Sequence, residues 1–101
     1  MSFRFSPAAR ADLRSIWLYT KKTWSSAQAD HYILSIEATC EALASGTMRG
    51  QSADHYRHGY MRATVGSHYV FYTVSSSRSI DIIRILHQRM DIPSHLTDDN
   101  R

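Results

Sequence analysis

The chain has 101 residues, 43% of them hydrophobic and 21% charged, with 12 Lys+Arg against 9 Asp+Glu for a formal charge of +3. That composition fits one globular domain, excludes disorder over most of the length, and permits an anionic partner without demanding one. The lone Cys40 excludes an intramolecular disulfide framework and a cysteine-built zinc site, and no stretch approaches the roughly 20 apolar residues of a membrane helix.

Phe3 and Phe5 alternate with polar neighbours, which predicts a short strand ended by Ser6-Pro7. Ser6 suits an N-cap and Pro7 the first helical position, where its missing N–H costs nothing. Ala9, Leu13, Ile16, Trp17 and Thr20 then recur at three- and four-residue steps, predicting a helix that fades at Lys21-Lys22-Thr23-Trp24. Ser25 and Ser26 offer a second N-cap. Ala29, Tyr32, Ile33, Ile36, Cys40 and Leu43 make a second stripe, stopped by Gly46. Residues 46–59 have no clean period and read as a loop. Three strands follow, Tyr60–Val65, His68–Val74 and Ile80–His87, joined by Gly66-Ser67 and a serine-rich turn, so an antiparallel meander is expected. The expected organisation is one α+β domain over 1–96, a helical hairpin on one face of the sheet, and a flexible tail at 97–101. The opening Met1-Ser2-Phe3-Arg4-Phe5 lacks the apolar core of a signal peptide, and a cytoplasmic chain is expected.

Alternation along the strands assigns Val70, Tyr72, Val74, Ile83 and Ile85 to the helix-covered core. The opposite face then carries Arg62, Tyr69, Phe71, Ile82, Arg84 and Leu86. Left bare, this apolar and cationic mixture reads as an interaction surface; the alternative is that the C-terminal tail or the 46–59 loop folds over it. His87 and Arg89 fall at or beyond the end of the last strand. They suit a grip on phosphate or carboxylate, with His87 able to carry a proton, unless Arg89 simply pairs with Asp91. His55 and His58 are spaced to share a metal with Asp54, but two exposed loop histidines is the stronger reading and no metal is expected. Cys40 reads as a small core residue. No phosphate loop or catalytic triad spacing is present, and no cofactor is expected.

The order of these blocks resembles the ParE branch of the RelE/ParE toxin superfamily. The resemblance is carried by Phe5-Ser6-Pro7-Ala8-Ala9-Arg10-Ala11-Asp12-Leu13, Ile16-Trp17-Leu18-Tyr19-Thr20, Ala27-Gln28-Ala29-Asp30-His31-Tyr32-Ile33, Gly59-Tyr60-Met61-Arg62, Val65-Gly66-Ser67-His68-Tyr69-Val70-Phe71-Tyr72 and Ile82-Ile83-Arg84-Ile85-Leu86-His87-Gln88-Arg89-Met90-Asp91. It implies the toxin of a type II toxin–antitoxin system, a plasmid-stabilisation type of function. Such a toxin is a non-enzymatic poison that traps DNA gyrase with cleaved DNA. A ParD-like antitoxin neutralises it, and operator DNA is met only through that antitoxin. On this basis Arg62, Tyr69, Phe71, Ile82, Arg84 and Leu86 are expected to bind antitoxin, and Arg84, His87 and Arg89 the target. The alternative within the superfamily is a RelE-like ribosome-dependent mRNA endonuclease. Arg62 and Arg89 would supply its basic groups there, although the second meander strand opens with Ser67-His68-Tyr69 rather than an arginine.

Overall fold

A computed structural model describes residues 2–96; the tail expected at 97–101 lies outside the described residues. The elements run β1 (Phe3–Phe5), α1 (Pro7–Thr23), α2 (Ser26–Ser45), β2 (Gln51–Ser52), β3 (Met61–Val65), β4 (His68–Val74), β5 (Ile80–His87) and α3 (Ile92–His95). The architecture is α+β, with a helical hairpin on a five-stranded sheet of order β1-β5-β4-β3-β2. The meander is antiparallel as expected, while β1 pairs with β5 in parallel. The two short elements β2 and α3 were not anticipated. Two to four residues are too few for either period to show.

The local signals act as read. Ser6 Oγ accepts from Ala9 N at 3.0 Å and donates to the Ile83 carbonyl at 2.6 Å, so one cap both starts α1 and ties it to β5. Ser25 caps α2 through a 3.0 Å bond from Gln28 N, and Gly46 ends it at φ 83°, a left-handed conformation that favours glycine. The helical stripes meet the sheet in one cluster: Ala9, Ile16, Ile36, Cys40, Leu43, Val70, Tyr72, Ile80, Ile82 and Ile85 are all buried there. Burial pushes the Cys40 thiol up to about 12, consistent with an inert core residue.

The face assignment needs two corrections. First, the β4–β5 register pairs Phe71 with Arg84 but Tyr72 with Ile82, leaving Ile83 as an extra, bulged residue. The bulge shifts the alternation by one. Ile82, expected on the far face, lies in the helix-covered core, and Ile83, expected in that core, packs on the far side. Val74 is also outside the core, 53% exposed at the strand's end. Second, the far face is not open. Phe71, Ile83 and Leu86 are covered by Ala53 and Tyr56 from the 46–59 loop, by Tyr60 just before β3, and by Ile92 and Leu96 from the C-terminal turn. Burying a far-side apolar layer under these loops gives a small domain a second core. Among the described residues no helix is long and apolar enough to cross a membrane.

Candidate functional site

The residues expected to meet partners separate into three environments. Phe71, Ile82 and Leu86 are fully buried, so none is presented to an antitoxin in this fold, contrary to expectation. Arg84 is also withdrawn. Its Nε and Nη2 donate to the two carboxylate oxygens of Asp12 at 2.7 and 2.8 Å, and its Nη1 donates to the His95 carbonyl at 3.1 Å. The Asp12 carboxylate also accepts from Ile85 N at 2.9 Å. The pair staples α1 to the half of β5 that β1 does not reach, and to the C-terminal turn. It raises the Arg84 pKa, mainly through the hydrogen bond to Asp12. An arginine between Ile82 and Leu86 therefore marks a part-buried fork-to-fork pair, not an exposed contact.

Arg62 and Tyr69 remain half-exposed on the far face. The Arg62 guanidinium stacks 4.4 Å from the Tyr69 ring centroid, and its Nη2 donates to Gln51 Oε1 at 3.2 Å. Arg62 Nε is buried without a partner among the described residues.

The third environment is a cleft of about 730 Å³ on the helix side of the sheet, where the α1–α2 junction faces the end of β5. Tyr19 and Trp24 flank it, 70% and 75% exposed, and Met90, His68, His87 and Arg89 complete its far wall. Among the described residues no carboxylate lines it. Arg89 is exposed and makes no salt bridge to Asp91 or to any other described carboxylate. The expected target-facing pair, His87 and Arg89, is thus brought together here, while Arg84 is not.

The cleft's floor is a hydrogen-bonded row. His68 pairs with His87 across β4 and β5, their rings edge to face with centroids 5.1 Å apart. The Tyr32 oxygen lies 2.6 Å from His68 Nδ1, 3.0 Å from the Val65 carbonyl and 3.2 Å from Ser67 N. A phenol has one proton, and the carbonyl can only accept. The row is fully satisfied when Tyr32 donates to Val65 and accepts from both Ser67 N–H and an Nδ1-protonated neutral His68. Burial first, and His87 second, push His68 down to about 4, against an upward pull from Asp12. Gly66, at φ 54°, makes room for this row, since a Cβ there would come within 2.7 Å of the Tyr32 hydroxyl. Sequence reasoning missed Tyr32, His68, Tyr19 and Trp24 as cleft residues. They lie far apart in the chain, and only the exposure of two aromatics at a helix end could have flagged the site. Among the described residues, no group of three or more His, Cys, Asp or Glu side chains is placed to hold a metal.

The family model for the ParE toxin of the type II toxin–antitoxin system parDE matches residues 3–92. "Toxin ParE1" of Mycobacterium tuberculosis is 39% identical over 98 residues, covering 95% of this chain and all of that protein. "Toxin ParE1" of Caulobacter vibrioides is 42% identical over 94 residues, 93% of this chain and 96% of that one. Among solved structures, the chromosomal ParDE toxin–antitoxin system from P. aeruginosa superposes with a TM-score of 0.73 at 20% identity, covering 86% of this chain and 95% of that chain, a likeness of fold.

Proposed function

Because the chain belongs to the ParE toxin family of type II toxin–antitoxin systems, we propose that it is a non-enzymatic poison that traps DNA gyrase on cleaved DNA. A ParD-like antitoxin neutralises it, operator DNA is met only through that antitoxin, and the toxin acts in the cytoplasm. The observation that carries the non-enzymatic part is the division of its basic residues. Arg62 pairs with Phe71 on the far face, whereas His87 and Arg89 line the helix-side cleft. A ribonuclease needs cations and a proton carrier converging on one phosphate. Here the sheet stands between Arg62 and Arg89, the two basic groups of the endonuclease alternative, so that Arg89 and His87 meet in the cleft without Arg62, and the histidine at the start of β4 is held neutral against Tyr32.

The cleft presents His87 and Arg89 to the target as rim-exposed groups on a rigid strand end. Arg62 and Tyr69 keep the exposed part of the far face for the antitoxin, where the Arg62 cation suits acidic side chains. The test is a supercoiling assay with purified gyrase, plasmid and ATP, scored for trapped cleaved DNA, beside a ribosome-programmed mRNA cleavage assay. Trapped cleavage without mRNA cutting supports the reading; mRNA cutting with gyrase unaffected refutes it and restores the endonuclease alternative. Arg89→Ala is expected to lose most poisoning without loss of stability, because the side chain makes no ion pair among the described residues.

A further inference from the structure

We propose that the helix-side cleft binds single-stranded nucleic acid directly, by stacking bases on Trp24 and Tyr19 and holding backbone phosphate with Arg89. This goes beyond gyrase poisoning and requires neither gyrase nor antitoxin.

Three observations support it. Trp24 and Tyr19 are the two most exposed large hydrophobic side chains among the described residues, and both flank the same cleft. Neither ring is covered by its own fold, and flat aromatic faces beside a groove are how sequence-tolerant single-strand binders hold successive bases. Among the described residues no carboxylate lines the wall, and Arg89 is exposed there without an ion pair, with His87 beside it. Size and polarity also fit. A cleft of about 730 Å³ admits one or two nucleotides, and Ser15, Thr20, Gln28 and Ser67 offer hydroxyl and amide side chains without a single built-in base pattern. An amphipathic protein helix, by contrast, would seek a row of apolar sockets at helical spacing. Here the exposed large apolar groups lining the cleft, among the described residues, are the two rings on one side and Met90 on the far wall.

The test is fluorescence anisotropy of the purified chain with labelled oligo(dT) and oligo(U) of roughly ten nucleotides. The two oligonucleotides distinguish DNA from RNA as the source of the shared base-and-phosphate chemistry. Saturable binding is expected, weakened about tenfold by Trp24→Ala, in line with loss of one stacked base. Arg89→Gln should reduce the slope of log affinity against log salt by about 0.7, one phosphate contact on a single strand. Arg78→Gln makes the same charge change at the β4–β5 turn, at the other end of the two strands from the cleft, and should leave the affinity unchanged. Equal loss with Arg78→Gln would mean diffuse charge attraction and overturn the proposal. Absence of binding to either oligonucleotide would also overturn it. So would Trp24→Ala and Arg89→Gln weakening an acidic protein segment instead, which would reassign the cleft to a protein partner. Failure of gyrase trapping would leave this measurement untouched, so the two readings fail separately.

Discussion

Replacing Asp12 with alanine tests the logic of the α1–β5 staple most directly. The Asp12 carboxylate accepts three hydrogen bonds, two from Arg84 and one from Ile85 N, at 2.7 to 2.9 Å. The paired side chains are only 15% and 13% exposed. Without the carboxylate, a nearly buried guanidinium loses its two charge-assisted hydrogen bonds to Asp12, and removing one member of a buried pair costs about 3–5 kcal/mol. The Ile85 N–H on the uncovered half of β5 loses its acceptor, a further cost of about 1–3 kcal/mol that water entering the vacated space partly offsets. The expected net loss is about 3–5 kcal/mol, a large share of the roughly 5–15 kcal/mol that holds a domain of this size. Equilibrium urea unfolding should report it directly, and the melting temperature should fall by at least about 12 °C. Arg84→Met on its own strands the carboxylate. The double variant should recover more than about 1 kcal/mol relative to the sum, because it removes both charges together. A loss under about 1 kcal/mol for Asp12→Ala, or singles that add within about 0.5 kcal/mol, would refute the staple.

Other expectations follow from the row in the cleft and from the two cores. Tyr32→Phe removes an oxygen that serves Val65, Ser67 and His68, and should cost about 1–3 kcal/mol in chemical denaturation. His68 titrates near 6.5 when unfolded but near 4 when folded. Between those values the unfolded chain holds a proton that the folded chain refuses, so stability falls as pH drops through that window. Allowing for its partial exposure, the contribution is about 1–2 kcal/mol; comparing wild type with His68→Phe between pH 7 and 4 isolates it. A pH-independent difference between the two would contradict the neutral, buried histidine. Leu86→Ala should lose about 2–5 kcal/mol, whereas Val74→Ala at the exposed strand end should stay within about 0.5 kcal/mol. Similar losses at both positions, read from urea midpoints, would mean that the far-side core is not packed as described.

The helices were legible because each carries its own punctuation. Ser6-Pro7, Ser25 and Gly46 act on neighbours within four residues, so local sequence suffices. The strand runs were legible for the same reason, but their facing was not. β5 is apolar on both sides, so nothing in Ile82-Ile83-Arg84-Ile85-Leu86 betrays where an extra residue is inserted, and parity counted through the bulge assigns Ile82 and Ile83 to the wrong layers. Arg84 misled for a different reason: its counter-charge lies 72 residues earlier, on α1. The cleft was half legible. His87 and Arg89 stand out as basic groups at a strand end, but Tyr32 and His68 become partners only when α2 packs over the β3–β4 turn. The far face was read with its two covers already named as a possibility, and both of them, the loop and the C-terminal turn, contribute to closing it.

The parallel pairing of β1 with β5 has a consequence for when this chain becomes able to act. The Ser6 hydroxyl that caps α1 is bonded to the Ile83 carbonyl, 77 residues later. The sheet's first strand therefore waits for its last, and loop closure over such a span makes this a late event in folding. His87 and Arg89 lie beyond that point in the chain, so the wall of the cleft that carries them does not exist on a growing polypeptide until β5 and the turn after it have been synthesised. A product ending before β5 would keep the helical wall of the cleft but lack both the wall that faces it and the strand that pairs with β1.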